Sequence, residues 1–295
     1  MTKLEILWSP SGTNLPSLGV KSLIDISDGD TPNIRMPIRM LSIDTPEVTA
    51  KSPTGAAKVD AKFKQLATWI AQGKSPVTAS FADYILPKLT QVAAGTLQFN
   101  QGKLASAHYQ EVINKRLTKP NGSQRKLYIR SPEPPFDHFG RLLAYVAPSY
   151  SPSERAAMTR LERATFNLDM LASGWAAPFV LFPNIPNEAD LPLVVDMCEK
   201  AINQGLGQYQ EPLSMAGYEY RMCEKLYQIT RQLVAGKSMS EKKKLSWRSR
   251  YCADMRNRQL YLPEGYFIVP PPYRLWIWPD DLPAAIGVLN LIPQY

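Results

Sequence analysis

The segment from Asp28 to Glu47, DGDTPNIRMPIRMLSIDTPE, sets four carboxylates (Asp28, Asp30, Asp44 and Glu47) beside two arginines, Arg35 and Arg39. Gly29, Pro32, Pro37 and Pro46 interrupt it. Carboxylates at this density repel one another unless positive charge lies among them. A hard divalent cation meets that demand with oxygen ligands alone. A metal ion among arginines suits a phosphate ester, whose hydrolysis builds negative charge on the phosphoryl oxygens. A guanidinium can bond two of those oxygens at once, which an ammonium cannot.

These side chains need elements to hold them. If the chain is extended from Arg39 to Asp44, then Arg39, Leu41 and Ile43 share one face and Met40, Ser42 and Asp44 the other. Arg39 and Asp44 then converge only through a bend or bulge. Upstream, LEILW and the alternating VKSLIDI read as strands, followed after a Pro-rich turn by IRMLSIDTP. Gly55 to Gln72 has apolar residues at helical spacing (Ala56, Val59, Phe63, Leu66, Ile70) and predicts an amphipathic helix. TASFADYILP and KLYIRSPEPP predict strands on either side of a polar segment with a loop at Lys119–Ser123. Leu142 to Ala147 predicts a further strand. Helices are predicted over Ser153–Ala172, with Ser153 as cap, and over Ala189–Gln204. From Glu211 come two basic helical stretches and a tail rich in aromatics and prolines. Strands first and helices packed on them give an α+β fold class. The small barrel consistent with that order is the five-stranded oligonucleotide-binding type.

Three strings in this order, DGDT at Asp28–Thr31, RMLSIDTPE at Arg39–Glu47 and DHFGRLLAYV at Asp137–Val146, resemble the staphylococcal-nuclease-like (thermonuclease) family. The helix carrying Asn167 before SGWA and the GLGQY string are weaker echoes, and the likeness runs from about Ser22 to Tyr209. It implies a calcium ion held by Asp30, Asp44 and the main-chain carbonyl of Thr45. It further implies Glu47 as the group that positions or deprotonates the attacking water, and Arg39 and Arg141 as the phosphate-binding pair. The implied activity is calcium-dependent hydrolysis of DNA and RNA with little sequence preference, leaving 3′-phosphates. Asp28 has a simpler role, as an Asp-Gly turn residue of a hairpin.

The sequence departs from the family's pattern in three places. The interval between Glu47 and Arg141 is long, which predicts an insertion around 75–136 within a nuclease-like domain of residues 1–210. Phe179 or Val180 stands where the family has a tyrosine beside the nucleotide. His138 and Phe139 replace a lysine and a tyrosine, and core packing is expected of Phe139. Residues 211–295 then form a basic and aromatic extension without a counterpart in the family.

The chain carries a net charge of +8. From Arg221 to Arg258 eleven basic residues face three acidic ones, so this stretch equals the whole excess. It predicts a surface for nucleic acid, with Trp247, Tyr251, Tyr261 and Tyr266 as stacking candidates. Two alternatives accompany the hydrolase: a nucleic-acid-binding barrel without catalysis, and a scaffold whose C-terminal aromatic segment binds a protein partner. The three cysteines (Cys198, Cys223, Cys252) are too far apart in sequence for a Cys-x-x-Cys site and predict idle buried thiols. With no apolar run of about 20 residues and no evident leader, no membrane partner and a cytoplasmic location are expected.

Overall fold

The computed structural model describes residues 20–137 and 139–294. The chain divides into two compact units: a smaller one containing the residues up to Met40 with Arg130–Ala144, and a larger one containing Leu41–Ile129 and the residues from Tyr145 onward. The LEILW run and His138 lie outside the described residues.

In the smaller unit, β1 (Ser22–Asp28) and β2 (Thr31–Arg35) form an antiparallel hairpin whose last register pair is Asp28 with Thr31. Gly29 and Asp30 are therefore the turn, as an Asp-Gly dipeptide favours. β3 (Ile38–Met40) runs parallel to the first residues of β6 (Leu142–Pro148), with Ile38 opposite Leu142 and Met40 opposite Ala144.

The larger unit begins at Leu41. β4 (Ser42–Asp44) opens on Ser42, which takes a left-handed φ of 60° and hydrogen-bonds through its hydroxyl to Tyr145 at 2.6 Å. The left-handed Ser42 interrupts the extended chain between β3 and β4. Three long helices follow. α1 (Pro53–Ala71) is capped by Ser52, whose hydroxyl accepts from the Gly55 amide at 3.0 Å, and buries Ala56, Val59, Phe63, Leu66 and Ile70. α2 (Ala79–Thr90) stands where a strand was expected from TASFADYILP: Thr78 caps it, and Phe81, Ile85 and Leu89, spaced by four, fill its buried face. α3 (Ala94–Leu117) takes up most of the polar segment. Asp60 of α1 caps it from outside, accepting from the Gly95 and Thr96 amides at 2.6 and 3.0 Å.

After β5 (Leu127–Arg130) and β6, the single helix expected over Ser153–Ala172 is two: α4 (Pro152–Ala157), capped by Ser151 instead of Ser153, and α5 (Phe166–Ala172), capped by Thr165. A second cap inside the apolar pattern divides it. β7 (Ala177–Leu181), α6 (Leu191–Asn203) and α7 (Gly217–Val234) follow. The second basic helical stretch is a single turn, α8 (Glu241–Lys244), and the chain then turns to strands β8 (Tyr251–Asp254), β9 (Gln259–Tyr261) and β10 (Arg274–Ile277), helix α9 (Leu282–Leu289) and the short β11 (Ile292–Pro293).

These late strands are the body of the main sheet, whose order is β11-β9-β8-β10-β7-β4. β4 pairs antiparallel with β7, placing Asp44 opposite Ala177, and β7 runs parallel to β10. The residues after Glu211 thus extend the sheet that carries Asp44. Trp247, Tyr266 and Trp276 are buried with Phe63, Phe81, Tyr220 and Leu226 in one core. Trp247 and Tyr266 are core residues and not stacking surfaces. The three thiols are buried, with those of Cys198 and Cys252 pushed up to about 12 chiefly by burial. The architecture is α+β with mixed sheets. Among the described residues none of the sheets closes on itself, so a closed five-stranded barrel is not what they form. No described helix is long and apolar enough to cross a membrane.

Candidate functional site

In the smaller unit Asp30 sits exposed at the hairpin tip and accepts from the Thr31 hydroxyl at 3.0 Å. Hydrogen bonds from Thr31 and from Asp30 hold the Asp28 carboxyl below its ordinary value, in keeping with a turn residue. Arg39 lies opposite Leu143 in the parallel pair of β3 and β6. Arg141 lies immediately before β6, two residues ahead of Leu143.

Arg141 is held in place. Its Nε and Nη2 both donate to Asp137 Oδ2 at 2.7 Å, and Asp137 Oδ1 accepts the Phe139 and Arg141 amides at 2.9 and 3.0 Å. Burial raises the Asp137 carboxyl, but these bonds and the Arg141 charge outweigh it and leave it lowered. Phe139 is not in a core: it is 68% exposed, with the Arg141 guanidinium 5.4 Å above its ring.

In the larger unit Asp44 ends β4 with its side chain 1% exposed. The guanidinium of Arg221, one turn into α7, donates through Nη2 to both Asp44 oxygens at 2.9 and 3.1 Å, and through Nη1 to Glu47 Oε1. Burial lowers the Arg221 pKa, but Asp44 and Glu47 together more than restore it. α7 reaches this spot because its first residue is Gly217. A Cβ there would lie 2.5 Å from the Thr45 carbonyl oxygen and 2.7 Å from Asp44 Oδ2.

Glu47 is held from its other side by α3. Buried Gln98, with its amide oriented to satisfy both partners, accepts from the Glu47 amide at 2.9 Å and donates to the Met215 carbonyl at 3.0 Å. One helical turn on, Gly102 lets α3 approach: a Cβ there would be 2.9 Å from the Pro46 carbonyl oxygen. Asn167 of α5 fixes the entry to β4, donating to the Leu41 carbonyl at 2.8 Å and accepting from the Val146 amide at 3.1 Å.

Calcium needs six to eight oxygen ligands. Of the implied ligands, Asp44 and Thr45 lie in the larger unit and Asp30 in the smaller. The two in the larger unit do not fit the ion as they stand. Both Asp44 oxygens accept from Arg221, and Gly217 packs against the Thr45 carbonyl. Among the described residues no group of three or more His, Cys, Asp or Glu side chains could hold a metal ion.

The smaller unit carries Asp30, Arg39 and Arg141, and the larger carries Asp44, Thr45 and Glu47. Arg221, Gly217, Gln98 and Gly102, to which the motifs do not point, complete the group in the larger unit. Arg221 was legible only as one more charge in a basic run, and Gly102 only as a glycine in a helix. The chain matches no protein-family model, and no curated protein matches it as a relative.

Proposed function

We propose that this chain binds nucleic-acid phosphates and hydrolyses phosphodiesters with little sequence preference, on DNA and RNA. What supports the reading is Arg39 in β3 together with Arg141 just ahead of β6, the strand that β3 pairs with, Arg141 being braced by Asp137. Two forked cations suit the equatorial oxygens of a phosphodiester. In hydrolysis a water oxygen bonds to phosphorus, the leaving oxygen departs with its electron pair, and a base takes the water's proton. Glu47 is the base in this reading, a role it takes from the likeness of DTPE to the thermonuclease motif. The same likeness implies calcium. Arg221 holds Asp44, the one carboxylate of the larger unit that would ligate the ion.

A second reading, nucleic-acid binding without cleavage, is favoured by that same ion pair, since Glu47 Oε1 already accepts from Arg221 and not from a water. Plasmid digestion with calcium and with chelator separates the two. The hydrolase reading expects nicking that Glu47→Gln reduces by about 10²–10⁴-fold while retention on a DNA filter is unchanged. Retention without nicking by the parent protein under either condition overturns the hydrolase and leaves the binder.

A further inference from the structure

From Val112 to Pro132 the chain carries six basic residues (Lys115, Arg116, Lys119, Arg125, Lys126 and Arg130) and no carboxylate. All but Arg130 belong to the larger unit, in the last turn of α3 and the loop that joins it to β5. The loop is closed by its own backbone. The Lys119 amide donates to the Ser123 carbonyl at 2.8 Å, and the Arg125 amide to the Leu117 carbonyl at 2.7 Å. Two of the cations are taken up in fixing it to residues 150–169. Arg116 donates to Asp169, to the Tyr150 hydroxyl at 3.2 Å and to the Glu162 and Ala164 carbonyls at 3.2 and 2.7 Å. Arg125 donates to Glu154 at 2.5 Å, with its guanidinium 5.0 Å from the Tyr150 ring centroid.

Lys115, Lys119 and Lys126 have no such duty. Lys115 and Lys126 are exposed and Lys119 is half-buried. Among the described residues no ion pair joins any of the three to a carboxylate, Glu111 one turn before Lys115 included. The carboxylates that do meet this stretch, Asp169 and Glu154, are neutralised by Arg116 and Arg125. Three positive charges therefore stand uncompensated on an anchored loop. Tyr128, two residues after Lys126 and inside β5, is 54% exposed. Cations beside an open ring are what a nucleic-acid strand meets on its binding proteins: phosphates lie on the cations and a base stacks on the ring.

We propose that the loop between α3 and β5 is a landing surface for single-stranded DNA or RNA, on which Lys115, Lys119 and Lys126 bind phosphates and Tyr128 stacks a base. The lysines alone would suit any polyanion. The ring selects the single strand, because base faces are open there and covered by their neighbours in a duplex. Contacts to phosphates and ring faces read no base edge, so the surface has no sequence preference. The inference rests on the reading that this chain binds nucleic acid and does not depend on cleavage.

The test is fluorescence anisotropy of the full chain with a labelled oligo-dT and with a labelled duplex of mixed sequence, over a range of sodium chloride. Lys115→Gln, Lys119→Gln and Lys126→Gln combined should flatten the single-strand salt slope by about 2 log units per log unit of salt, at about 0.7 for each charge removed. Tyr128→Ala should weaken oligo-dT binding by about 5- to 150-fold, the loss of one stacked base, and leave duplex binding as in the parent. A bromouracil-substituted oligonucleotide should photocrosslink to the peptide that contains Tyr128, a measurement on the parent that needs no variant to fold. An unchanged salt slope in the triple variant overturns the surface, and so do crosslinks confined to other peptides. Tyr128→Ala overturns the single-strand assignment if it binds oligo-dT as tightly as the parent, or if it loses oligo-dT and duplex alike. A parent that binds neither probe overturns the nucleic-acid reading together with this surface. A parent that binds, with a triple variant that binds identically, overturns this surface and leaves that reading standing.

Discussion

Arg221 decides what Asp44 and Glu47 can do. A carboxylate with its side chain 1% exposed needs a positive partner, and in this chain a guanidinium 177 residues along the sequence supplies it. Arg221→Ala leaves Asp44 buried without that charge, so stability should fall by about 1–3 kcal/mol, measured by urea unfolding. The same variant vacates the space against both carboxylates. Calcium titration by calorimetry should then show tighter binding than the parent. An affinity no higher than the parent's would mean that the guanidinium does not compete with a cation at these oxygens. This residue was hidden in the sequence for a plain reason. Short-range spacing reveals partners on one helix face or one strand, and Arg221 meets Asp44 only through the fold. Asp44 and Glu47, three residues apart in DTPE, were visible because their chemistry is local.

At the scale of elements, α7 is anchored at its start by a buried carboxylate. Glu219 accepts from Lys88 at 3.0 Å, from Tyr266 at 2.9 Å and from Tyr84, and its Oε2 also takes the Ala216 amide at 3.2 Å. Burial raises this carboxyl, but Lys88 and Arg274 outweigh it, together with the bonds from Tyr84 and Lys88, and bring it down to about 2. The sign follows directly. A carboxyl lowered on folding adds stability that is complete above its ordinary 4.5 and is lost as the pH falls toward 2. Glu219→Gln should therefore be less stable at neutral pH by about 3–5 kcal/mol, because Lys88 loses its counter-charge. Its stability should also change less between pH 4.5 and 2 than the parent's. An acid-unfolding series on both proteins checks this, and parallel curves would remove Glu219 from the acid response. The elements themselves were unevenly legible. α1 was readable because a Ser-Pro cap and a repeating apolar face agree. α2 was not: TASFADYILP holds a β-branched cap, aromatics and a proline, yet Phe81, Ile85 and Leu89 stack at four-residue intervals on the core. The strands of residues 251–277 were read as tail because their partners, β7 and each other, lie across the sheet.

For the molecule as a whole, the basic run from Arg221 to Arg258 is less of a surface than its count suggests. Arg221, Arg248 and Arg256 are ion-paired, Arg250 lies against aromatic rings, and Lys244 pairs with Glu241. Lys225, Arg231, Lys237, Lys242, Lys243 and Arg258 remain exposed. The segment also supplies β8, β9, β10 and part of the core, so truncation at Glu211 should abolish cooperative unfolding and says nothing about nucleic acid. Charge reversal of Lys242, Lys243 and Lys244 to glutamate is the informative change. α8 is a single turn with no buried side chain, and its substitution should leave the melting temperature within a few degrees. Removing one lysine that neutralises a phosphate flattens the salt dependence of duplex binding by about 0.9 log units per log unit of salt. If these lysines meet DNA, the variant's slope falls by one to three such steps, equally for unrelated sequences, because groups that bind phosphates position a duplex without reading it. If the slope is unchanged, the three lysines are a solvated face, and phosphate affinity must then come from elsewhere, with Arg39 and Arg141 the first residues to test.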